Sequence, residues 1–118
     1  MRLLQKPLFL LCFLFFVTIS FGQEVTTYYL IRHAEKDLSD KSNRNPHLTE
    51  VGKVRAQAWK TIFKEVTFDK IYSTAYYRTL ETAAPTAEDH QINVEDYDPR
   101  NLYSPNFKKA TQGKTVLV

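Results

Sequence analysis

A chain of 118 residues, 43% hydrophobic, 14% aromatic and 25% charged, has the length of one domain and a globular composition, which excludes a disordered or fibrous protein. Its formal charge of +3 falls to about +1 once residues 1–22 are set aside, because Arg2 and Lys6 leave with them and every acidic residue stays. The remaining Lys and Arg are interleaved with acids rather than gathered in a stripe, so no nucleic-acid partner is expected.

Residues 1–22 stand apart. Arg2 and Lys6 precede an apolar run from Leu8 to Phe16 and on through Val17, and Ser20 and Gly22 take positions minus three and minus one of a cut before Gln23. The run is shorter than the roughly 20 residues a spanning helix needs. The segment therefore reads as a signal peptide, the protein as secreted or periplasmic, and no stable membrane insertion is expected after cleavage. The single cysteine, Cys12, follows Phe9, Leu10 and Leu11 without a small residue before it, which argues against lipidation. Its removal leaves no thiol for a disulfide, a nucleophile or a thiolate metal site.

Thr26 to Ile31 (TTYYLI) is a β-branched and aromatic run with little alternation, the pattern of a strand buried on both faces of a parallel sheet. The polar stretch from Glu35 to His47 reads as a loop. Thr49 is placed to cap a helix from Glu50 to about Glu65, with Val51, Val54, Ala58, Ile62 and Phe63 as its packed face. Lys70 to Ser73 is a second strand, and a second helix is expected from about Tyr76 to Asp89, with Pro85 kinking it or ending its first part. Ile92 to Tyr97 is a third strand candidate. A loop or irregular helix through Asn106 and Gln112 leads to Thr115–Val118, which starts like another buried strand. Alternation of this kind predicts an α/β fold, three layers with a mostly parallel sheet. Such sheets carry their chemistry at the carboxyl ends of the strands, which brings Arg32 and His33 to the same edge as Ser73 to Arg78.

An imidazole beside a guanidinium at a strand end suits phosphoryl chemistry: the ring can attack phosphorus while the planar fork holds two oxygens. Arg78, at the opening of the second helix, is placed to complete the clamp where backbone N–H groups also favour an anion.

Tyr29-Leu30-Ile31-Arg32-His33-Ala34-Glu35 resembles the arginine-histidine signature of the histidine phosphatase superfamily, phosphoglycerate mutase-like branch. Two further segments match in order. Leu48-Thr49-Glu50-Val51-Gly52 with Gln57-Ala58 is similar to the family's L-T-x-x-G segment, and Ile71 to Thr74 with Arg78-Thr79 and Thr82-Ala83 to its strand, Ser and R-x-x-x-T-A segment. The resemblance implies a phosphomonoester phosphatase that needs no metal and no cofactor. His33 would carry the phosphoryl group, Arg32 and Arg78 would bind it, and the partner would be a small phosphorylated substrate. It also implies a second pocket histidine just beyond a strand like Lys114 to Val118. That segment is not in the sequence, so residues 23–118 read as the N-terminal portion of a longer histidine phosphatase domain whose C-terminal part is missing. The proton donor would be an acid, with Glu95, Asp96 and Asp98 as candidates after the third strand, of which Glu95 and Asp98 are preferred. The rival reading is a non-catalytic phospho-ligand binding module or an inactive fragment.

Blander roles stand beside these. Arg78 could pair with Glu81 or Glu88. Ser73 could contact phosphate or, with Thr74, only end a strand or cap a helix. Glu35 could belong to the phosphate pocket, orient a basic group or be solvated. Tyr28, Tyr29, Tyr72, Tyr76 and Tyr77 read as core and pocket wall, and His47 and His90 as surface residues. A metal site from His33, His47 and Asp37 or Asp40 has no supporting ligand spacing.

Overall fold

The computed structural model describes residues 24–118; the segment read as a signal peptide lies outside the described residues. Strand β1 (Thr27–Tyr29) is followed by helix α1 (Glu50–Ile62), β2 (Lys70–Ser73), α2 (Tyr77–His90), β3 (Val94–Asp96), a 3-10 turn at Pro99–Asn101, α3 (Pro105–Thr111) and β4 (Thr115–Leu117). The strands form one sheet in the order β1-β4-β2-β3, with every neighbouring pair parallel.

The period of two along each strand divides the side chains between two layers. Tyr29, Ile71 and Leu117 face α1 and α2 in a core with Phe63, Phe68, Ala83 and Ala87. On the other side, Phe107 of α3 packs against the rings of Tyr28 and Tyr72, and the Tyr28 hydroxyl bonds to Thr111. The result is the three-layer α/β/α architecture. α3 forms inside the stretch read as irregular because Ser104 caps it, accepting from Phe107 N at 3.1 Å, and Pro105 fits its first turn. α2 continues through Pro85 to His90 instead of ending there.

Three expectations are corrected. Strand β1 pairs only with β4 among the described residues, and Leu30 is 60% exposed, so the first strand is not buried on both faces. Helix α1 has the expected period but another phase: Gly52 and Ala56 are buried, while Val51, Val54 and Ile62 are 64%, 70% and 62% exposed, and of the expected face only Phe63, at the C-cap, is buried. Close approach decides this, since small residues let α1 lie against the Glu35 peptide and α2. His90 is half-buried rather than on the surface, its ring nitrogens bonded to the carbonyls of Thr86 and Val66 at 2.9 and 2.7 Å.

No helix among the described residues is long and apolar enough to cross a membrane.

Candidate active site

The ladder between β1 and β4 continues past the strands proper. Val118 N donates to Tyr29 O at 2.9 Å, and Ile31 N donates to Val118 O at 3.0 Å, which fixes the backbone two residues before His33. The chain then turns inward. Ala34 is 2% exposed, and its N–H donates to Thr82 Oγ1 at 2.9 Å; the Thr82 hydroxyl in turn donates to Arg78 O at 2.6 Å. One threonine side chain thus joins the His33 segment to the first turns of α2.

His33 is half-buried, and its Nδ1 lies 2.7 Å from Ala34 O. A carbonyl can only accept, so Nδ1 carries the proton and donates it. In the neutral ring the lone pair is then on Nε2, the tautomer a nucleophile needs. The ring borders a cleft with Ser73, Thr74, Thr79, Thr82 and Tyr97, a wall rich in hydroxyls. Ser73 is buried and donates its hydroxyl to Thr74 O at 2.8 Å, and the Thr79 hydroxyl donates to the same carbonyl at 2.9 Å. His33 also borders a second cleft, with Arg32, Ala34, Glu35, Lys36 and Arg55.

Arg78 sits in the first turn of α2, behind Tyr77. Its guanidinium carbon is 4.3 Å from the centroid of the Tyr76 ring. Its Nε is buried and has no hydrogen-bond partner among the described residues, and it makes no ion pair with Glu81 or Glu88. A buried donor left unpaired is costly and a helix N-terminus favours an anion, but Arg78 lines neither of the two clefts that His33 borders.

Glu35 orients a basic group. Its carboxylate takes Arg55 Nε at 2.7 and 3.0 Å and a terminal nitrogen at 2.6 Å. That bond holds the Glu35 carboxyl below its ordinary range and raises Arg55. Neither preferred proton donor borders the His33 cleft. Glu95 pairs with Lys70 at 3.5 Å. Asp98 caps the 3-10 turn, and its bonds from the Arg100 backbone and side chain lower its pKa, the wrong direction for a general acid. Tyr97 does border the cleft, although nothing in the sequence set it apart from the other tyrosines.

The loop from Asp37 to Asn45 is held by a repeat of Asx turns, Asp37 to Ser39, Asp40 to Ser42 and Asn43 to Asn45, each 2.9 or 3.0 Å. It is tied down at both ends. Lys36 bridges Leu48, and Asn45 Oδ1 accepts from Tyr77 N at 3.0 Å. His47 is exposed, stacks on Tyr77 and bonds Glu81, whose carboxylate also accepts from Leu48 N at 3.0 Å.

Thr82→Val keeps the shape but leaves the buried Ala34 N–H without an acceptor, so a loss of about 1–3 kcal/mol in unfolding free energy is expected. Denaturant titration and faster amide exchange at Ala34 would register it; an unchanged midpoint would refute the linking role.

The fold matches solved structures. A candidate phosphohistidine phosphatase, SixA, of Agrobacterium tumefaciens aligns with TM-score 0.64 at 22% identity, covering 84% of this chain and 70% of that one. A phosphoglycerate mutase of Bacillus anthracis aligns with TM-score 0.55 at 26% identity, over 63% of this chain and 36% of the other. A phosphoserine phosphatase of Entamoeba histolytica, solved with 3-phosphoglyceric acid, gives 0.53 at 29%, over 63% and 38%. The chain thus spans little more than a third of the last two. No curated protein matches it. The sequence model of the histidine phosphatase superfamily (branch 1) matches residues 28–99, which contain the Arg32-His33 pair and the α2 segment, and the chain belongs to that superfamily.

Proposed function

We propose that this protein is an exported phosphomonoester phosphatase acting through a phosphohistidine on His33. The observation that carries the reading is the Thr82 hydroxyl, which bonds the peptide after His33 to the backbone carbonyl of Arg78 and so ties the segment with the Nε2 lone pair to the helix turn with the buried, unpartnered Arg78 Nε. Its relatives, two of them named as phosphatases, support the same reading.

In the first step Nε2 attacks phosphorus, a P–N bond forms, and the ester P–O bond breaks, the leaving alkoxide taking a proton from water. In the second, water attacks the phosphohistidine, the P–N bond breaks, and inorganic phosphate leaves with the histidine restored. Arg32 and Arg78 hold the equatorial oxygens and offset the charge that grows on them. The chemistry calls for no metal or cofactor. Export rests on residues 1–22 alone.

The test is chemical trapping. Incubation with a 32P-labelled monoester, followed by rapid quench, is expected to leave label that survives alkali and is lost in acid, and to leave none on His33→Ala. An acid-stable label, or label on the variant, would overturn the mechanism. Binding of phosphate without any label would favour the binding-module reading instead.

A further inference from the structure

We infer that Asn45 is a positioning residue for Arg78: it caps α2 from outside the helix and so sets the turn from which that guanidinium acts. The inference rests on the phosphatase reading, in which Arg78 holds phosphoryl oxygens, and adds what fixes Arg78 in place.

The N-terminus of α2 lacks a cap of its own. The first N–H groups of a helix have no partner inside it, and a Ser, Thr, Asp or Asn at the N-cap position ordinarily supplies one. Helices α1 and α3 follow that rule with Thr49 and Ser104. In α2 the N-cap position is Tyr76, whose side chain makes no capping bond. The acceptor comes instead from 32 residues earlier in the chain, where Asn45 Oδ1 takes Tyr77 N at 3.0 Å. Tyr77 opens the helix and Arg78 follows it. The Arg78 backbone is therefore held on both sides, one residue before it by Asn45 and at its own carbonyl by the Thr82 hydroxyl.

Asn45 can do this because the segment around it is fixed. Its own N–H donates to Asn43 Oδ1 at 3.0 Å, and the next residue, Pro46, is buried with its φ locked by the ring. His47 then stacks on the Tyr77 ring with centroids 4.2 Å apart, its carbonyl accepting from Asp37 N at 2.8 Å, and Leu48 N donates to Glu81 at 3.0 Å. Residues 45–48 thus meet the first two turns of α2 at the Tyr77 amide, the Tyr77 ring and the Glu81 carboxylate.

Arg78 depends on such a hold. Its side chain makes no ion pair among the described residues, its Nε is buried without a partner, and its guanidinium carbon rests 4.3 Å from the centroid of the Tyr76 ring. The backbone of the first turn is what places it. A displacement of 1 Å in a positioned group can cost up to about 100-fold, so a residue that never meets the substrate can still act through Arg78.

Affinity for inorganic phosphate, measured by titration calorimetry on the full chain below the unfolding midpoint of every variant, tests this in two double-mutant cycles. Asn45→Ala is expected to weaken phosphate binding about fivefold, the scale of a lost helix cap. In an Arg78→Gln background the same change is expected to alter affinity less than about twofold, because the residue through which it acts is gone. Tyr77→Pro supplies the second background. Proline at the first helical position has no N–H to cap and a preset φ, and Tyr76 already has the extended backbone that precedes a proline, with φ −100° and ψ 148°. Asn45→Ala is expected to be silent there as well. A residue that served stability alone would give the same loss in all three backgrounds. That result, or a loss below about twofold in the wild type, would overturn the positioning role. An Arg78→Gln variant with unchanged affinity would overturn it too, since Arg78 would then hold no phosphate. The two readings fail separately. Coupling between Asn45 and Arg78 without any phosphoenzyme would retain the positioning role and remove the mechanism, and a phosphoenzyme with additive losses would do the reverse.

Discussion

Replacing His33 with alanine is expected to lower phosphate release by about 10⁴-fold or more while leaving the unfolding midpoint nearly unchanged, because the change removes the atom that bonds to phosphorus and little of the core. The ring's one hydrogen bond, from Nδ1 to the carbonyl of the next residue, is local and ties no second element to the sheet. The segment itself is held by the bond from Ala34 N to Thr82, which the substitution does not touch. Steady-state phosphate release on wild type and His33→Ala, with thermal unfolding on both, separates the two effects. Residual activity within tenfold of wild type would sink the nucleophile assignment. His33→Gln adds a control: it retains polarity and approximate reach but has no nucleophilic lone pair on nitrogen, so it should be as inactive as alanine.

The parts of this site legible in the sequence were those fixed by local pattern. Arg32 and His33 follow a β-branched run, and Arg78 follows a short strand by a few residues, so the rule that parallel sheets work at their carboxyl ends placed all three at one edge. The cap of α1 was equally plain, since Thr49 accepts from Gly52 N at 3.0 Å as its position before Glu50 suggested. The phase of α1 was not legible. Val51, Val54 and Ile62 make the stronger apolar stripe, yet burial went to Gly52 and Ala56, which contribute little hydrophobic signal and are chosen for closeness. Nor was the Glu35–Arg55 pair legible, because it depends on where α1 crosses the segment after His33. Gly52 was a usable clue: a glycine early in a helix marks a close approach, and Arg55, three residues on, sits beside it. The position of β1 at the sheet edge follows from strand order, which the alternation of elements leaves open.

That close approach leads to the second large effect. Gly52→Ala is expected to destabilise the fold by about 1–3 kcal/mol, even though alanine is the better helix former by roughly 1 kcal/mol. The two effects have opposite signs, and geometry decides between them. A Cβ on Gly52 would lie 2.3 Å from Glu35 O and 3.1 Å from Leu48 Cβ. The first contact is to backbone, which has no rotamer to swing away, so either α1 or the Glu35 peptide must move. Glu35 O also accepts from Thr49 N at 2.9 Å and from the Thr49 hydroxyl at 3.3 Å, and a shift large enough to clear the methyl would strain both. The displacement would not stay local. Glu35 adjoins Ala34, whose N–H holds the Thr82 link and whose carbonyl fixes the His33 tautomer. Activity should therefore fall along with stability in Gly52→Ala, whereas Gln57→Ala, an exposed change on the same helix, should leave both near wild type. Denaturant midpoints and phosphate release on the two variants test this together. Gly52→Ala at or above wild-type stability would mean that the helix gain wins and that the close packing of α1 on the His33 segment is not a constraint on the site.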